Sequence, residues 1–409
     1  MKKLFRISTI PLSLNILLKG QLRYLNQFYD VTAISGSGAD LNEVREREGV
    51  KTEAIEMARE ISLLKDVVAL FHLYRYFKRE KPDIVHSITP KAGLLSMIAA
   101  RLAGVPVRMH TFTGLIFPYK NGFLKMLLIQ MDRLLANSAT HIYPEGKGVK
   151  EDLERYRISR KPLKILAHGN VNGIDTSYFD PDQIAANEQE QLRLQLGLAE
   201  DDFVFIFVGR LVRDKGINEL VAAFKNLQSI LTTKNNETPS IHTQHPASNT
   251  QHPASKLLLL GPLEQDLDPL EAETLAEIET NPHIISVGFQ AEVRPYFALS
   301  NALVFPSYRE GFPNVVLQSL AMNLPAIVTD INGCNEIISL GENGLLIPVK
   351  DTKALQSAMS LIWTETELYH RLKNNARQSI FLYEQKAVWE ALVDEYRLVA
   401  KGEKEPSKK

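Results

Sequence analysis

The chain of 409 residues holds one cysteine and two tryptophans, has a formal net charge of -1, and shows no apolar run of about 18 residues, the length a membrane span needs. Each shortage excludes something. With Cys334 alone there is no intramolecular disulfide, and most cysteine-based metal sites are ruled out. A lone Cys reads as a small packing residue. The opening MKKLFRISTIPLSLNILLKG is charged and then apolar, but Arg6, Ser8, Pro11, Ser13 and Asn15 interrupt the apolar run and no small-residue cleavage site follows. It is therefore not read as a signal peptide, and the expected location is cytoplasmic, at most peripheral at the inner face of the cell membrane.

What is present fits two globular domains. The length exceeds that of a single core, and 44% apolar with 23% charged residues is ordinary for such chains. The near-zero charge conceals an asymmetry. Residues 1–185 carry 27 Lys+Arg against 19 Asp+Glu, or +8, which leaves 20 against 29, or -9, for the remainder. The excess is densest from Lys65 to Lys164, with 18 basic and 8 acidic residues. Such a domain is expected to attract anionic headgroups or a diphosphate-bearing lipid. A solvated basic surface without a partner is the alternative.

Apolar strand-like runs alternate with helical periodicity, the pattern of parallel sheets covered on both faces. In the first half the strands read as Leu4–Ile10, Asp30–Ser35, Asp83–Ile88 and Val107–Phe112; in the second, as FVFIFVG, LLLLG, IISVGF, ALVFPS and PAIVTD. Residues 232–256 break this order: polar, Pro-bearing, with TQHPAS twice, they read as a disordered insertion. His242, His245 and His252 invite a metal reading, but Glu237 is the only carboxylate among them. No metal is expected. The final residues 402–409 read as a charged tail.

Two segments carry the chemistry. In YREGFPNVVLQSLAMN, Glu310 and Gly311 precede Phe312 and Pro313, and Pro suits a first helical position. The amides of Asn314, Val315 and Val316 are then open donors at the positive end of a helix dipole, a seat for phosphate. The preceding LVFPS places this loop at a strand's carboxyl end, where open α/β sheets bind ligands. About a hundred residues earlier, FVFIFVGRLVRDKG runs from an apolar strand into a basic turn. Arg210 offers a planar fork and Lys215 a point charge, suited to the two phosphates of a diphosphate. Ordinary solvated charges at a strand-to-helix turn are the alternative.

GRLVRDKG, REGFPNVVLQSLAMNLPAIVTDINGCNEII and NGLLIP together resemble the donor half of the retaining glycosyltransferases of family 4, of the GT-B fold. VNGIDTSYFDP resembles that family's inter-domain segment, and HSITPKAGLLSMIAARLAGVPVRMHTFTG is similar to bacterial members that build capsular, O-antigen or glycan repeat units on polyprenyl diphosphate carriers. The resemblance implies two Rossmann-like doubly wound domains facing across a cleft: an acceptor domain, 1–182, and a nucleotide-sugar domain, 183–365, with helices over 366–401 crossing back to the first. It implies no cofactor, a nucleotide-sugar donor, with UDP the expected nucleotide, and a polyprenyl diphosphate-linked glycan acceptor. Gly209, Arg210, Lys215, Phe289, Glu310, Gly311, Phe312, Pro313, Asn314, Val315 and Gln318 would hold the donor. The family's signature is Glu, seven residues, Glu; here the pair is Glu310 and Gln318. The first would lie against the sugar hydroxyls, while Gln at the second keeps a carbonyl acceptor for the ribose without the charge.

In the first domain the loop TPKAGLL follows a strand and opens a helix; Pro90 and Gly93 keep it tight and Lys91 adds charge to free N–H groups, for an acceptor phosphate or for the outer face of the donor diphosphate, with a plain βα connection as the alternative. His110 would touch the donor sugar, although relatives often carry this His nearer the position of Thr113; a buried structural His is the alternative. Relatives show a Gly pair after the first strand, where this chain has PLSLN, with Gly20 further on inside an apparent helix. Ser13 and Asn15 are candidates for donor or acceptor contacts there, and Thr113 is a candidate acceptor contact. The implied reaction is a metal-independent transfer that retains anomeric configuration, with Glu310, Arg210, Lys215 and His110 at its centre. A nucleotide-sugar epimerase of the same shape, or a non-catalytic relative that Gln318 would favour, are the competing readings.

Overall fold

Strands of a parallel sheet are buried on both faces by their crossover helices and so read as near-continuous apolar runs. The computed structural model, which describes residues 1–58, 60, 62–236, 253–266 and 268–401, contains two such sheets in two compact units. One unit comprises Met1–Gly173 with Leu382–Lys409, the other Ile174–Phe381, so the breaks fall at 173 and 381 where 182 and 365 were expected.

In the first unit β1 (Lys3–Ile7), β2 (Asp30–Ser35), β3 (Lys51–Ala54), β4 (Ile84–Ser87), β5 (Val107–Phe112) and β6 (His141–Pro144) lie in the order β3-β2-β1-β4-β5-β6. In the second, β7 (Phe203–Val208), β8 (Ser255–Leu260), β9 (Ile284–Gly288), β10 (Ala302–Phe305), β11 (Ala326–Thr329) and β12 (Gly344–Ile347) lie in the order β12-β11-β10-β7-β8-β9. Read from β9, the second order repeats the first. All pairings are parallel. Each sheet winds outward from its middle, between β1 and β4 and between β7 and β10. The loops leaving these strands diverge and open a crevice at their carboxyl ends.

β3, β6 and β12 escape the sequence reading because they are edge strands of only four residues each. The four residues of β3 are KTEA, without an apolar alternation to notice. Gly20 does not lie inside a helix. At φ 79° it separates helices Pro11–Leu17 and Gln21–Leu25, and a Cβ there would come within 2.8 Å of the Trp389 ring. Of the residues read as an insertion, those up to Asn236 end the helix Ile217–Asn236 and Ser255 opens β8. The three histidines there, Glu237 and the tail 402–409 lie outside the described residues.

Two helices expected to cross back divide the work. Thr366–Ser379 stays with the second unit against helix Asn314–Ala321, whereas Gln385–Lys401 sets Leu392, Val393, Tyr396 and Val399 into the core around β1, β2 and β4. A polar cluster anchors it. Arg6 on β1 is fully buried; its Nη1 donates to the Tyr396 hydroxyl at 2.8 Å and meets His86 Nδ1, and its Nη2 donates to Gln21 Oε1 at 3.0 Å. None of these partners is an acid. Burial, with Arg6 alongside, holds the pKa of His86 well below the ordinary value, so the ring is neutral with Nδ1 accepting and Nε2 donating to Thr111 Oγ1 at 2.8 Å. Burial pushes Tyr396 up to about 12. Among the described residues no helix is long and apolar enough to cross a membrane.

Candidate active site

β7, buried from Phe203 to Phe207, ends before Gly209, φ 152°, and the chain passes through a 3₁₀ turn, Arg213–Lys215, to Gly216 at φ 72°. A Cβ on Gly216 would lie 2.1 Å from the Pro306 carbonyl oxygen, so only glycine lets this loop touch the one leaving β10. The Tyr308 amide donates to Asp214 O at 2.8 Å, tying the two loops together. On that seam the Lys215 ammonium bonds the Glu310 carboxylate and lies 5.3 Å above the Phe305 ring. Ser307 Oγ donates to the same Glu310 oxygen at 2.7 Å. The two charged side chains are only 18% and 15% exposed, so their attraction acts where water screens it poorly. Behind them Gly333, φ 75°, lets the Cys334 segment approach the Gly311 carbonyl; a Cβ would stand 2.3 Å from that oxygen. Burial, and then the Glu310 charge, push the Cys334 thiol far up, which makes it a packing group.

The helix beyond Glu310 begins one residue later than expected. Pro313 is its N-cap, at ψ 111°, rather than its first helical residue. The Val316 amide is not open either, since it donates to Pro313 O at 3.2 Å. Asn314 and Val315 lead the helix, and their half-exposed side chains share a face with Gln318, while Val316, Leu317 and Ser319 are buried. Phe312 is buried beneath. Arg210 stands at the mouth of the β7 loop in an ion pair with Glu264, 2.9 Å, with both side chains about two-fifths exposed (42% and 39%). Phe289, just past β9, is 72% exposed. Asp266 and Asp268 have an Asp-x-Asp spacing, but Asp268 Oδ2 already accepts the Asp214 amide at 2.6 Å. Among the described residues no group of three or more His, Cys, Asp or Glu side chains is placed to hold a metal ion.

In the first unit the equivalent crevice is lined by hydroxyls. The Thr9 amide donates to Thr89 Oγ1 at 2.9 Å, the two hydroxyls meet at 2.8 Å, and the Ala92 amide at the start of helix Pro90–Ala103 donates to Thr9 Oγ1 at 3.2 Å. Neither threonine was singled out from the sequence; their place after β1 and β4, at the reversal of strand order, is the signal that would have found them. Lys91 turns away into an ion pair with Asp66 at 2.7 Å, the two side chains 10% and 16% exposed. Asn15 is likewise engaged, donating to Asp40 and Glu43 at 2.8 and 2.9 Å and accepting from Arg47. Ser13 is half-exposed on helix Pro11–Leu17. Thr113 donates to Ile88 O at 2.9 Å. His110 is 1% exposed, with Ser87 Oγ 2.8 Å from Nδ1 and Phe112 edge-on at 4.5 Å, and burial drives its pKa down to about 3. Gly93 sits inside the helix rather than tightening its loop: a Cβ there would be 2.4 Å from the His110 ring. His110 thus presents no atom to a ligand, and Thr113 is the more open of the two.

Residues 188–379 match the family described as Glycosyl transferases group 1, and residues 21–169 the Glycosyl transferase 4-like domain. The chain is 28% identical over 403 residues to the capsular polysaccharide biosynthesis glycosyltransferase CapM of Staphylococcus aureus, with 98% of each chain covered. It is 27% identical over 386 residues to the UDP-Gal:alpha-D-GlcNAc-diphosphoundecaprenol alpha-1,3-galactosyltransferase of Escherichia coli, with 92% of each covered. Among solved structures, Anabaena Alr3699/HepE in complex with UDP and glucose has a TM-score of 0.77 at 15% identity, covering 97% of this chain and 100% of that one. Sucrose-phosphate synthase from Thermosynechococcus elongatus has a TM-score of 0.75 at 18% identity, covering 98% and 100%. These two likenesses show the fold.

Proposed function

Because the chain belongs to the GT-B glycosyltransferases that join a 4-like first domain to a group 1 second domain, we propose that it transfers a sugar from a UDP-sugar to a glycan carried on polyprenyl diphosphate, in cell-surface polysaccharide biosynthesis. The observation that carries this reading is the Lys215–Glu310–Ser307 cluster at the β7/β10 reversal, beside the amide end of helix Asn314–Ala321. It offers a cation, a carboxylate and backbone donors within one small region, which suits a diphosphate joined to a hydroxyl-rich ring. The UDP donor and the lipid-linked acceptor are drawn from the Escherichia coli relative's name. The basic excess of the first domain suits an acceptor diphosphate, and such an acceptor would keep the enzyme peripheral to the membrane.

In this reading the donor phosphates draw Lys215 and Arg210 from their carboxylate partners. The bond from the anomeric carbon to the β-phosphate oxygen breaks, and the diphosphate leaves with the electron pair. Lys215, Arg210 and the Val315 amide stabilise the charge that develops on it. The acceptor hydroxyl attacks the face the diphosphate leaves, so configuration is retained, and a phosphate oxygen takes the hydroxyl proton. Glu310, relieved of Lys215, accepts hydrogen bonds from the sugar hydroxyls and orients the ring. Gln318 accepts from the ribose through its carbonyl, and Phe289 offers a face to the uracil. No divalent cation takes part.

The test is direct. Purified protein with a panel of UDP-sugars and a short-chain polyprenyl diphosphate–GlcNAc is expected to yield a disaccharide lipid with an alpha linkage by NMR, undiminished by EDTA. A beta-linked product or EDTA sensitivity would overturn the mechanism. Absence of transfer from every UDP-sugar, with transfer from another nucleotide's sugar, would overturn the donor assignment.

A further inference from the structure

Helix Leu63–Glu80 follows the rule of an amphipathic helix on one side only. Its inner face, Ala69, Leu73 and Phe77, is buried, yet the outer face is also apolar through its first half: Leu64 is 84% exposed, and Val67, Val68 and Phe71 are exposed after it. Arg75, Lys78 and Arg79 continue the same outer surface. A surface helix ordinarily sets polar residues there. Helix Gly122–Ser138 repeats the anomaly. No residue from Gly122 to Leu134 is buried, although the sequence is GFLKMLLIQMDRL; Phe123 is 80% exposed and Met126 64%. Ile116 and Tyr119 are exposed just before it, with Lys120 beside them.

The two segments belong to one region. Helix Pro90–Ala103 packs against both, so the three form a layer on one side of the first sheet. Both apolar stretches lie in the N-terminal halves of their helices, which start from the carboxyl ends of β3 and β5, the same end at which Thr9 and Thr89 meet. Cations accompany them: Lys65, Arg75, Lys78, Lys120 and Lys125. Of the nearby acids, Asp66 is paired with Lys91 and Glu80 with Lys3 and Arg79.

We infer that the outer faces of helices Leu63–Glu80 and Gly122–Ser138 together form a docking surface for an anionic lipid bilayer, inserting Leu64, Phe71, Phe123 and Met126 among the headgroups while the flanking lysines and arginines bind lipid phosphates. Apolar side chains ringed by cations match the chemistry of that interface. A second copy of the chain fits poorly, since a self-complementary contact would bring like charges together. The inference deepens the proposed function, on which it rests for the idea of a lipid-linked acceptor. It would bring the carboxyl edge of the first sheet to the plane where such an acceptor's diphosphate lies.

Flotation with vesicles of phosphatidylglycerol and phosphatidylcholine tests it. The protein is expected to float with vesicles rich in phosphatidylglycerol, to stay behind with pure phosphatidylcholine, and to be released by salt. The double variants Leu64→Glu with Phe71→Glu, and Phe123→Glu with Met126→Glu, should each lower the bound fraction about tenfold or more while leaving melting temperature and turnover of a short-chain, water-soluble acceptor unchanged. Unchanged flotation of both variants, or no flotation of the parent protein, overturns the inference. So does a concentration-dependent dimer in analytical ultracentrifugation that the variants abolish, which would make this the face of a second copy. Flotation that persists in a protein transferring no sugar would sink the proposed function and leave the docking surface standing.

Discussion

Replacing Lys215 by alanine separates the chemistry of the site from its architecture. Lys215 bonds Glu310 in a pair whose side chains are 18% and 15% exposed. Losing it leaves the carboxylate with Ser307, a truncation that costs about 1–3 kcal/mol of stability. Arg210 provides the contrast: its pair with Glu264 is about two-fifths exposed (42% and 39%), and an open pair contributes about 0–1 kcal/mol. If both cations also neutralise the departing diphosphate, each alanine variant loses a charge-assisted contact in the transition state. By comparison with lost oxyanion donors that is about 2–4 kcal/mol, a fall of roughly 30- to 1000-fold in kcat/KM. Turnover should therefore collapse in both variants, while melting temperature drops in Lys215→Ala and barely moves in Arg210→Ala. UDP release under initial-rate conditions and calorimetry on the same preparations measure the two quantities. Full turnover in both variants would remove the diphosphate assignment. Loss confined to Lys215→Ala, in proportion to its unfolded fraction, would reduce that residue to a structural part.

Gln318→Glu is expected to tighten UDP binding by up to about 1 kcal/mol in isothermal titration, and Gln318→Leu to weaken it; equal affinity in all three proteins would show that Gln318 does not face the nucleotide. Gly216→Ala forces a Cβ to 2.1 Å from the Pro306 carbonyl at φ 72°, so it should lose about 1–3 kcal/mol or more of stability together with activity, and an unchanged denaturation midpoint would contradict the seam described between the two loops. His110 has its folded pKa lowered from 6.5 to about 3. Below 6.5 the unfolded chain therefore binds the proton that the folded chain refuses, and stability should fall with acidification at up to about 1.4 kcal/mol per pH unit until about pH 3. In His110→Gln the melting temperature should decline less steeply between pH 6.5 and 4.5, and an identical slope would mean that the ring is not buried neutral.

How legible the molecule was depended on burial. β7 and β10 announce themselves because FVFIF and ALVF are buried throughout, and so the loops that leave these strands could be located from sequence. β3 could not, because an edge strand of KTEA carries no apolar signal. Among site residues, Lys215 and Glu310 were legible as charges at strand ends, but that they bond each other was not, since it depends on the backbone contact that Gly216 permits. Lys91 and Asn15 looked available in sequence because their partners, Asp66 and Asp40, are 25 residues away. The fate of His110 was decided by Gly93 on the preceding helix, whose missing side chain is the space the ring fills.

The buried Arg6 cluster bears on how the chain is made. Arg6 emerges from the ribosome long before Tyr396, the hydroxyl that it needs, from which it is separated by 390 residues of synthesis. Residues 174–381 form a continuous unit that can close by itself, whereas the sheet begun first must wait, with a charged guanidinium in its interior, for the final helix. The first unit is thus begun before the second and completed after it, and a chain released early by a stop codon before Gln385 would carry a finished second unit attached to a first that lacks its closing helix.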